Sequence, residues 1–165
     1  MPKRVRCPYC DGLFSRDIID DHIRRCRERN HSQEKTGSRG RNRNVIVDGN
    51  NIAYHLSPNG KPRAKNLLIA LNSLTTVGYR PVFVISNALT HAIDKIETLN
   101  NFITSAQVII APRGTNDDLK IIKTAQERNA DIISNDRYLD WIERYPWVLD
   151  RLRRYRMTPT GLILT

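Results

Sequence analysis

From residue 44 onward, short apolar runs alternate with segments whose apolar residues recur at helical spacing. The apolar runs cover 44–47, 82–85, 108–110 and 131–134, and the helical pattern covers 64–76, 91–104 and 117–129. Continuous apolar strands that alternate with helices are typical of a mostly parallel sheet with helices on both faces. The sequence therefore predicts an α/β domain over residues 44–165, built as a three-layer sandwich.

The last part of the chain gives a weaker pattern. A helical spacing runs across 138–155, interrupted near Pro146, and residues 162–164 predict an edge strand. The predicted helix carries a basic run with one tyrosine: Arg151, Arg153, Arg154, Tyr155 and Arg156. Such a run binds RNA by charge and stacking, or is simply a solvated helix face. Arg153 and Arg154 are the predicted substrate contacts of this run.

The three cysteines of the chain all fall in its first 26 residues, in the pattern Cys7-x2-Cys10-x11-His22-x3-Cys26. Zn²⁺ prefers four nitrogen or sulfur ligands in a tetrahedron, and structural sites often use three cysteines and one histidine. His22 and Cys26 are four residues apart, so they share one face of a helix. The pattern predicts a small ββα zinc finger over residues 5–28. It resembles Cys-Cys-His-Cys fingers that bind either nucleic acid or ubiquitin, and both ligands remain open.

Residues 29–43 contain no Ala, Val, Leu, Ile or Met and are rich in polar and basic residues. This composition predicts a basic flexible linker. Residues 1–43 hold twelve Lys/Arg and six Asp/Glu, so they carry +6 of the net charge of +10. A basic arm beside a globular domain favours a nucleic-acid partner, although a merely solubilising linker is the alternative. The chain has no apolar run long enough to span a membrane and no apolar leader, which predicts an intracellular, cytoplasmic protein without a membrane partner.

Acidic residues follow three of the predicted strands, although the chain as a whole is basic. Asp48 ends the first strand, Asp117 and Asp118 follow the third, and Asp136 and Asp140 follow the fourth. The carboxyl ends of parallel strands meet at one edge of the sheet, where sites form in such folds. Clustered carboxylates repel one another unless a cation is present, and Mg²⁺ or Mn²⁺ prefers oxygen ligands. The sequence therefore predicts a divalent-metal site at this edge.

Simpler roles are open for some of these residues. Asp117, Asp136 or Asn116 could cap a helix, and Asp140 could pair with Arg144 one turn later. Asp48 is harder to explain in this way, because it ends a buried strand where an unpaired charge is costly. Lys61 and Arg63, in the loop after the first motif, are predicted phosphate contacts, and His55 is a further candidate for touching the substrate.

The ordered segments VIVDGNNIA (45–53), PVFVIS (81–86), TNDDLKIIKTA (115–125) and IISNDRYLDW (132–141) resemble the Regnase-type NYN branch of PIN-like ribonucleases. Residues 147–155 also resemble that family's basic-aromatic helix. The resemblance implies a Rossmann-like PIN fold and Mg²⁺-dependent cleavage of single-stranded RNA. By motif it implies an acidic cluster with neighbouring substrate-binding residues: Asp48, Asp117, Asp118, Asp136 and Asp140, with Asn51, Ser134 and Arg113.

The sequence thus predicts a metal-dependent endoribonuclease that hydrolyses single-stranded or loop RNA. Asp48, Asp118 and Asp136 are the predicted Mg²⁺ ligands, and Asp117 or Asp140 would hold outer waters or assist proton transfer. Other chemistries lack their motifs: there is no nucleophile elbow and no P-loop, and all three thiols are assigned to zinc. A non-catalytic RNA-binding module and a ubiquitin-type adaptor are the alternatives, and a homodimer is left open.

Overall fold

The computed structural model describes residues 4–10, 12–35, 43–57 and 59–165, with side chains throughout except over 29–35. The chain divides into two compact units. One contains the N-terminal segment up to residue 42 together with Leu139–Asp150, and the other contains Arg43–Tyr138 with Arg151–Thr165. In the described part of the chain, no helix combines the length and the apolar character needed to cross a bilayer.

The N-terminal part of the first unit is a hairpin followed by a helix. Strands β1 (Arg4–Arg6) and β2 (Leu13–Ser15) pair antiparallel, and α1 follows over Arg16–Lys35. Cys7, Ile19 and Cys26 are buried together, with Phe14 and Ile23 packed against them. This arrangement confirms the predicted ββα unit. Helix α1 continues into the segment predicted as a linker (29–43), of which residues 36–42 lie outside the described residues, so the linker and the domain boundaries stay predictions.

The segment that includes residues 139–150 is not the long helix that its sequence pattern predicts. Turns occupy most of 139–147, and the only helix described there is α7 (Val148–Arg151). Pro146 has no backbone N–H to donate and disfavours a helical conformation at Tyr145, which explains the break. The chain then becomes extended, in strands β7 (Leu152–Arg153) and β8 (Tyr155–Met157). The prediction of a helix over 138–155, and of a basic-aromatic helix over 147–155, is therefore wrong.

The second unit is built on a five-stranded sheet in which every neighbouring pair is parallel. The strands in spatial order are β5 (Gln107–Ala111), β4 (Arg80–Ser86), β3 (Asn44–Asp48), β6 (Asp131–Ile133) and β7. The chain builds outward from β3 to β5 and then returns to add β6 on the other side of β3. This reversal creates a crevice beyond the carboxyl ends of β3 and β6, which is where ligands bind in open α/β sheets.

Helices cover both faces of this sheet, as predicted. They are α2 (Gly49–Tyr54), α3 (Ala64–Val77), α4 (Asn87–Ala92), α5 (Ile96–Ser105) and α6 (Asp117–Arg128). Side chains of α2, α3 and α5 pack on the face that carries Val45, Val47 and Phe83, and α6 packs against β3, β4 and β6. The pattern over 91–104 corresponds to parts of two helices rather than one, because the chain is extended between α4 and α5.

The last strand does not extend the main sheet. Strand β9 (Leu162–Leu164) pairs antiparallel with β8, and a turn closed by the N–H of Thr158 donating to the carbonyl of Gly161 connects them. The prediction of an edge strand at 162–164 is therefore right about the strand and wrong about its sheet. Tyr155 and Leu162, on the buried side of this hairpin, join the main core.

Candidate active site

An open cleft of about 370 Å³ lies at the carboxyl ends of β3 and β6. Four of the five predicted acidic residues line it, together with amide and aromatic side chains: Asp48, Asp117, Asp118, Asp136, Asn50, Asn51, Tyr54 and His55. Among the described residues that line the cleft there is no Arg and no Lys. The cleft therefore gathers negative charge from three separate connections in a chain whose net charge is +10.

Asp48 is the deepest of these carboxylates, with only 6% of its surface exposed. It is also the N-cap of α2, since Oδ1 accepts from the backbone N–H of Asn51 at 3.1 Å. Its Oδ2 accepts two hydroxyl donors, from Ser134 at 2.9 Å and Tyr138 at 2.9 Å. A carboxylate has about four acceptor positions, so the described donors leave one on Oδ1 for a further ligand.

Burial raises the pKa of Asp48, because the charged form loses its hydration. The N–H of Asn51 and the hydroxyls of Ser134 and Tyr138 oppose this rise, and the nearby charge of Asp136 adds to it. Burial also raises the pKa of Asp117. Both carboxyls are thus poised to gain from a cation, which would favour their ionised forms.

Asp136 is held at the mouth of the cleft by a tight turn. Its backbone N–H donates to Ser134 Oγ at 3.1 Å, and its Oδ1 accepts from the N–H of Tyr138 at 2.8 Å. Tyr138 has a positive φ of 51°, which is uncommon for a residue with a side chain, and its hydroxyl reaches back to Asp48. Burial raises the pKa of Tyr138, so it stays a neutral hydrogen-bond donor. Ser134, 0% exposed, thereby connects the carboxylate of Asp48 to the backbone N–H of Asp136 through one hydroxyl.

Of the simpler capping alternatives, the structure confirms the one for Asn116 and not those for Asp117 and Asp136. Asn116 is the N-cap of α6, since its Oδ1 accepts from the N–H of Leu119 at 3.2 Å. Asp117 and Asp118 follow in the first turn, where the helix dipole favours negative charge. Asp136 caps no described helix and instead closes its own turn. Helix capping therefore does not account for the position of Asp117 or Asp136.

Asn50 and Ser86 are functional candidates that the sequence analysis missed. Asn50 Nδ2 donates to Ser86 Oγ at 2.9 Å and to Asp117 Oδ2 at 3.3 Å, and its Oδ1 accepts from the N–H of Ser86 at 3.0 Å. Asn50 thus connects the ends of β3 and β4 to the start of α6. The sequence Asp-Gly-Asn-Asn at 48–51 marks this segment as part of the site. It does not show that Asn50 contacts Ser86 and Asp117 whereas Asn51 contacts Asn135.

Asn51 binds the opposite side of the cleft. Its Oδ1 accepts from the N–H of Asn135 at 3.0 Å and from the hydroxyl of Tyr155 at 2.7 Å. Asn135 in turn exchanges two hydrogen bonds with the backbone of Tyr155 through its side-chain amide. Burial raises the pKa of Tyr155, which keeps this hydroxyl a donor. Asn51, predicted to bind substrate, is therefore engaged in holding the β6–β8 side of the site.

Gly49 allows this geometry because its backbone lies directly on β4. A Cβ at this position would be 2.4 Å from Ile85 Cγ2 and 2.8 Å from the carbonyl oxygen of Val84. Both distances are shorter than any normal contact, so a side chain would push α2 away from the sheet. The glycine after Asp48 is thus required for close approach of two backbones.

The remaining predicted residues lie in different surroundings. Arg113 is exposed in the loop between β5 and α6, and Lys61 and Arg63 are exposed before α3. Arg154 Nη1 donates to the carbonyl of Asn135 at 3.1 Å. Arg153 Nε pairs with Asp131 Oδ2 at 3.0 Å, at the amino end of β6. Asp140 is exposed among the turns of the other unit. Roles for these residues in binding or catalysis stay predictions.

The donor set of the cleft fits a hard cation that keeps part of its water. Carboxylate and amide oxygens are the ligands that Mg²⁺ and Mn²⁺ prefer. Within the described ranges, however, the acidic side chains do not form a ligand set as compact as the cysteine–histidine set of the finger. Mg²⁺ usually binds proteins through one or two carboxylates and retains several waters. A spread set of carboxylates around a solvent-filled cleft is compatible with that mode of binding.

The finger brings its four predicted ligands together. The ligand atoms of Cys7, Cys10, His22 and Cys26 all lie within 4.8 Å of one another, and Cys10 Sγ is 3.2 Å from His22 Nε2. A zinc tetrahedron with bonds of about 2.3 Å has edges of about 3.8 Å, so this cluster could hold Zn²⁺. Burial and the two neighbouring thiols raise the pKa of Cys26 to about 12, so its ionised form would need a nearby cation. The His22 ring stacks on Phe14 at 3.7 Å between centroids.

Comparisons with known proteins agree with this fold. Residues 41–160 match the family model described as the Zc3h12a-like Ribonuclease NYN domain. Two solved structures of nuclear protein-only RNase P 2 (PRORP2) of Arabidopsis thaliana superpose with a TM-score of 0.59, at 16% and 15% identity. They cover 100% and 99% of this chain, which spans 42% of each of those chains. At such low identity the likeness concerns the fold. No curated protein matches this sequence.

Proposed function

Because the chain belongs to the Zc3h12a-like ribonuclease NYN domain family, we propose that it is a metal-dependent endoribonuclease acting on single-stranded or loop RNA. The observation that supports this most directly is the cleft itself. Four carboxylates converge there from the ends of β3 and β6 and the start of α6, and no Arg or Lys is among the described residues that line it. Such a concentration of charge favours a divalent cation and, through it, a phosphate.

Asp48, Asp118 and Asp136 would hold Mg²⁺ or Mn²⁺. When bound, this ion neutralises charge on the scissile phosphate and lowers the pKa of a coordinated water. Ser134 and Tyr138 fix the orientation of Asp48, so its remaining acceptor position on Oδ1 is directed rather than free to rotate. The turn that Asp136 makes with the N–H of Tyr138 fixes the second carboxylate in the same way.

Asp117 is suited to a different role. Its pKa is raised by burial, and Asn50 donates to only one of its oxygens. It can therefore hold an outer water or accept a proton from the attacking water. In-line attack of water on phosphorus breaks the P–O3′ bond. A proton is transferred to the leaving oxygen, which gives a 3′ hydroxyl and a 5′ phosphate.

Substrate binding would use the positive charge outside the cleft. Exposed cations in the connecting loops are the proposed phosphate contacts: Lys61, Arg63, Arg113 and Arg154, with Arg153 if its pair with Asp131 opens. Tyr54 lines the cleft and is 44% exposed, so its ring is available for stacking on a base. An open cleft of this kind admits a single strand, whose bases are unstacked and accessible.

The experiment compares wild type, Asp136→Asn and the control Glu97→Gln, an exposed carboxylate on α5, on labelled single-stranded RNA. Mg²⁺ or Mn²⁺ is added or omitted, and chelators are avoided because they would also remove zinc. We expect Asp136→Asn to lower kcat/KM by roughly 100-fold or more, and Glu97→Gln to leave it unchanged. Undiminished cleavage by Asp136→Asn, or cleavage independent of added metal, would contradict the proposal. Salt-dependent binding without product would instead favour a non-catalytic RNA-binding module.

For the finger we propose a structural zinc ion held by Cys7, Cys10, His22 and Cys26. Its buried core is small, consisting of Cys7, Ile19 and Cys26 with four partly buried side chains against them. A unit of this size ordinarily needs a metal or disulfides to fold. The partner of the finger, nucleic acid or a protein such as ubiquitin, is separated by titrating each against the full chain.

A further inference from the structure

A second recess, of about 180 Å³, lies next to the acidic cleft and shares His55 with it. Its lining combines apolar and basic side chains: Leu56, Met157, Pro159, Arg63 and Lys65. The recess is formed by the loop after α2, the start of α3 and the β8–β9 turn. It therefore borders the proposed site for the scissile phosphate at His55.

Leu56 is the unusual residue of this recess. It has a positive φ of 49° and is 75% exposed. The left-handed conformation costs a residue with a side chain on the order of 1 kcal/mol, and an exposed leucine gains nothing from burial in return. Strain of this kind is most often found where a side chain is held for a ligand. Here it presents an apolar surface to the recess.

The walls of the recess are fixed by hydrogen bonds and ring contacts. Asn66 Nδ2 donates to the carbonyls of Ile52 at 3.1 Å and His55 at 3.0 Å, which pins the loop after α2 to α3. The ring of His55 lies 5.3 Å from that of Tyr155, whose hydroxyl is bound to Asn51 in the acidic cleft. The recess is thus largely preformed, as ligand sites usually are.

The charges at the recess complement an anionic strand. Arg63 and Lys65 are both exposed, and within the part of the chain that the structure describes neither forms an ion pair. The apolar side chains that line the same recess offer contact area without a charge. A ligand with a flat apolar group and a phosphate could contact the apolar side chains with the first and the basic side chains with the second.

We propose that the recess binds one nucleotide of the RNA strand next to the scissile phosphate. The base packs on Leu56, Met157 and Pro159, and the phosphate lies against Arg63 and Lys65. This inference rests on the proposed function for the identity of the strand. It adds a base-binding subsite whose contacts are apolar, so it selects for the presence of a base rather than for a particular sequence.

The test combines single substitutions in the protein with removal of the bases from the RNA. Leu56→Asn removes the apolar contact, and asparagine tolerates positive φ, so the fold is kept. Ile96→Asn makes the same loss of exposed apolar surface on α5, outside the cleft and the recess. Binding of the full chain is measured by fluorescence anisotropy, without added Mg²⁺ or Mn²⁺. The ligands are a short single-stranded RNA and the same strand made entirely of abasic riboses.

Burial of a leucine side chain against one base changes affinity roughly 10-fold to 150-fold. We expect Leu56→Asn to weaken binding of the normal strand within this range and to leave the abasic strand unaffected. Ile96→Asn should change neither. Equal weakening of both strands, no weakening, or no RNA binding by the wild type would overturn the subsite.

The outcome is separable from that of the nuclease proposal. In Mg²⁺, an RNA with one abasic nucleotide at successive distances from the cut should lose cleavage at one distance in wild type and not in Leu56→Asn. Cleavage that is insensitive to every abasic position would contradict the subsite proposal and leave the nuclease proposal standing. Base-dependent binding through Leu56 without any cleavage would support the subsite proposal and contradict the nuclease proposal.

Discussion

The substitution Tyr138→Phe tests whether the hydroxyl of Tyr138 stabilises the ionised form of Asp48 in the acidic cleft. The substitution removes one hydroxyl, which donates to Asp48 Oδ2 at 2.9 Å in a place where Tyr138 is 1% exposed. The ring and the positive φ remain possible for phenylalanine, so the change is confined to the hydrogen bond. A hydrogen bond to a charged group contributes about 1.5–3 kcal/mol.

The sign of the effect on pH dependence follows from the pKa of Asp48. Burial raises this pKa, and the hydroxyl of Tyr138 partly lowers it. Removing the hydroxyl therefore raises the pKa of Asp48 further, because the ionised carboxylate loses one of its donors. Because the ionised form is the one that binds a metal, the acidic limb of the kcat/KM profile should move to higher pH.

Stability without added Mg²⁺ or Mn²⁺ changes in the corresponding direction. A raised folded-state pKa contributes stability below the unfolded pKa of the carboxyl, and this stability is lost as pH rises through the folded pKa. In Tyr138→Phe the loss should be larger and should extend to higher pH. The measurements are pH profiles of cleavage at fixed Mg²⁺ and urea unfolding at several pH values.

The matched control is Tyr79→Phe, which removes a hydroxyl from a partly buried tyrosine packed against the main core of the same unit. It should shift neither profile. An acidic limb in Tyr138→Phe that coincides with that of wild type would refute the idea that this hydroxyl stabilises ionised Asp48.

Two further predictions address close packing and the finger. Gly49→Ala should lower the free energy of unfolding by about 1–3 kcal/mol, because its Cβ would lie 2.4 Å from Ile85 Cγ2, and urea denaturation measures it. Unchanged stability would mean that α2 can shift without cost. Cys26→Ala should abolish tight zinc binding, measured as zinc per chain by atomic absorption after dialysis, because it removes one of four converging ligands. Cys26→Ala that retains zinc at the wild-type ratio would show that the cluster is not the zinc site.

Local chemistry alone determined much of this protein. Four of the five strands were predictable because buried parallel strands must be apolar on both faces, which leaves continuous runs such as 82–85. The finger was predictable because its four predicted ligands are close in sequence and follow a spacing typical of zinc sites. The acidic cleft was predictable in outline, since strand ends of a parallel sheet share an edge and carry Asp48 and Asp136.

Local patterns failed where long-range contacts overrule propensity. The helical spacing over 138–155 was overridden because Pro146 breaks the helix and Leu152–Arg153 completes the edge of the sheet beside β6. Helix α2 was missed because its six residues are too few to show a period. The sequence also could not show that Arg153, a predicted RNA contact, pairs with Asp131 in the fold.

The hydrogen bonds between side chains inside the cleft could be assigned only from the tertiary structure. Tyr138 and Asp48 are 90 residues apart, and Tyr155 and Asn51 are 104 apart. No local pattern marks these pairs, because each tyrosine would be equally acceptable in a core with its hydroxyl bound elsewhere. The residue types and strand ends set where negative charge gathers, whereas the packing of distant segments decides which oxygens are fixed by donors and which remain for a ligand.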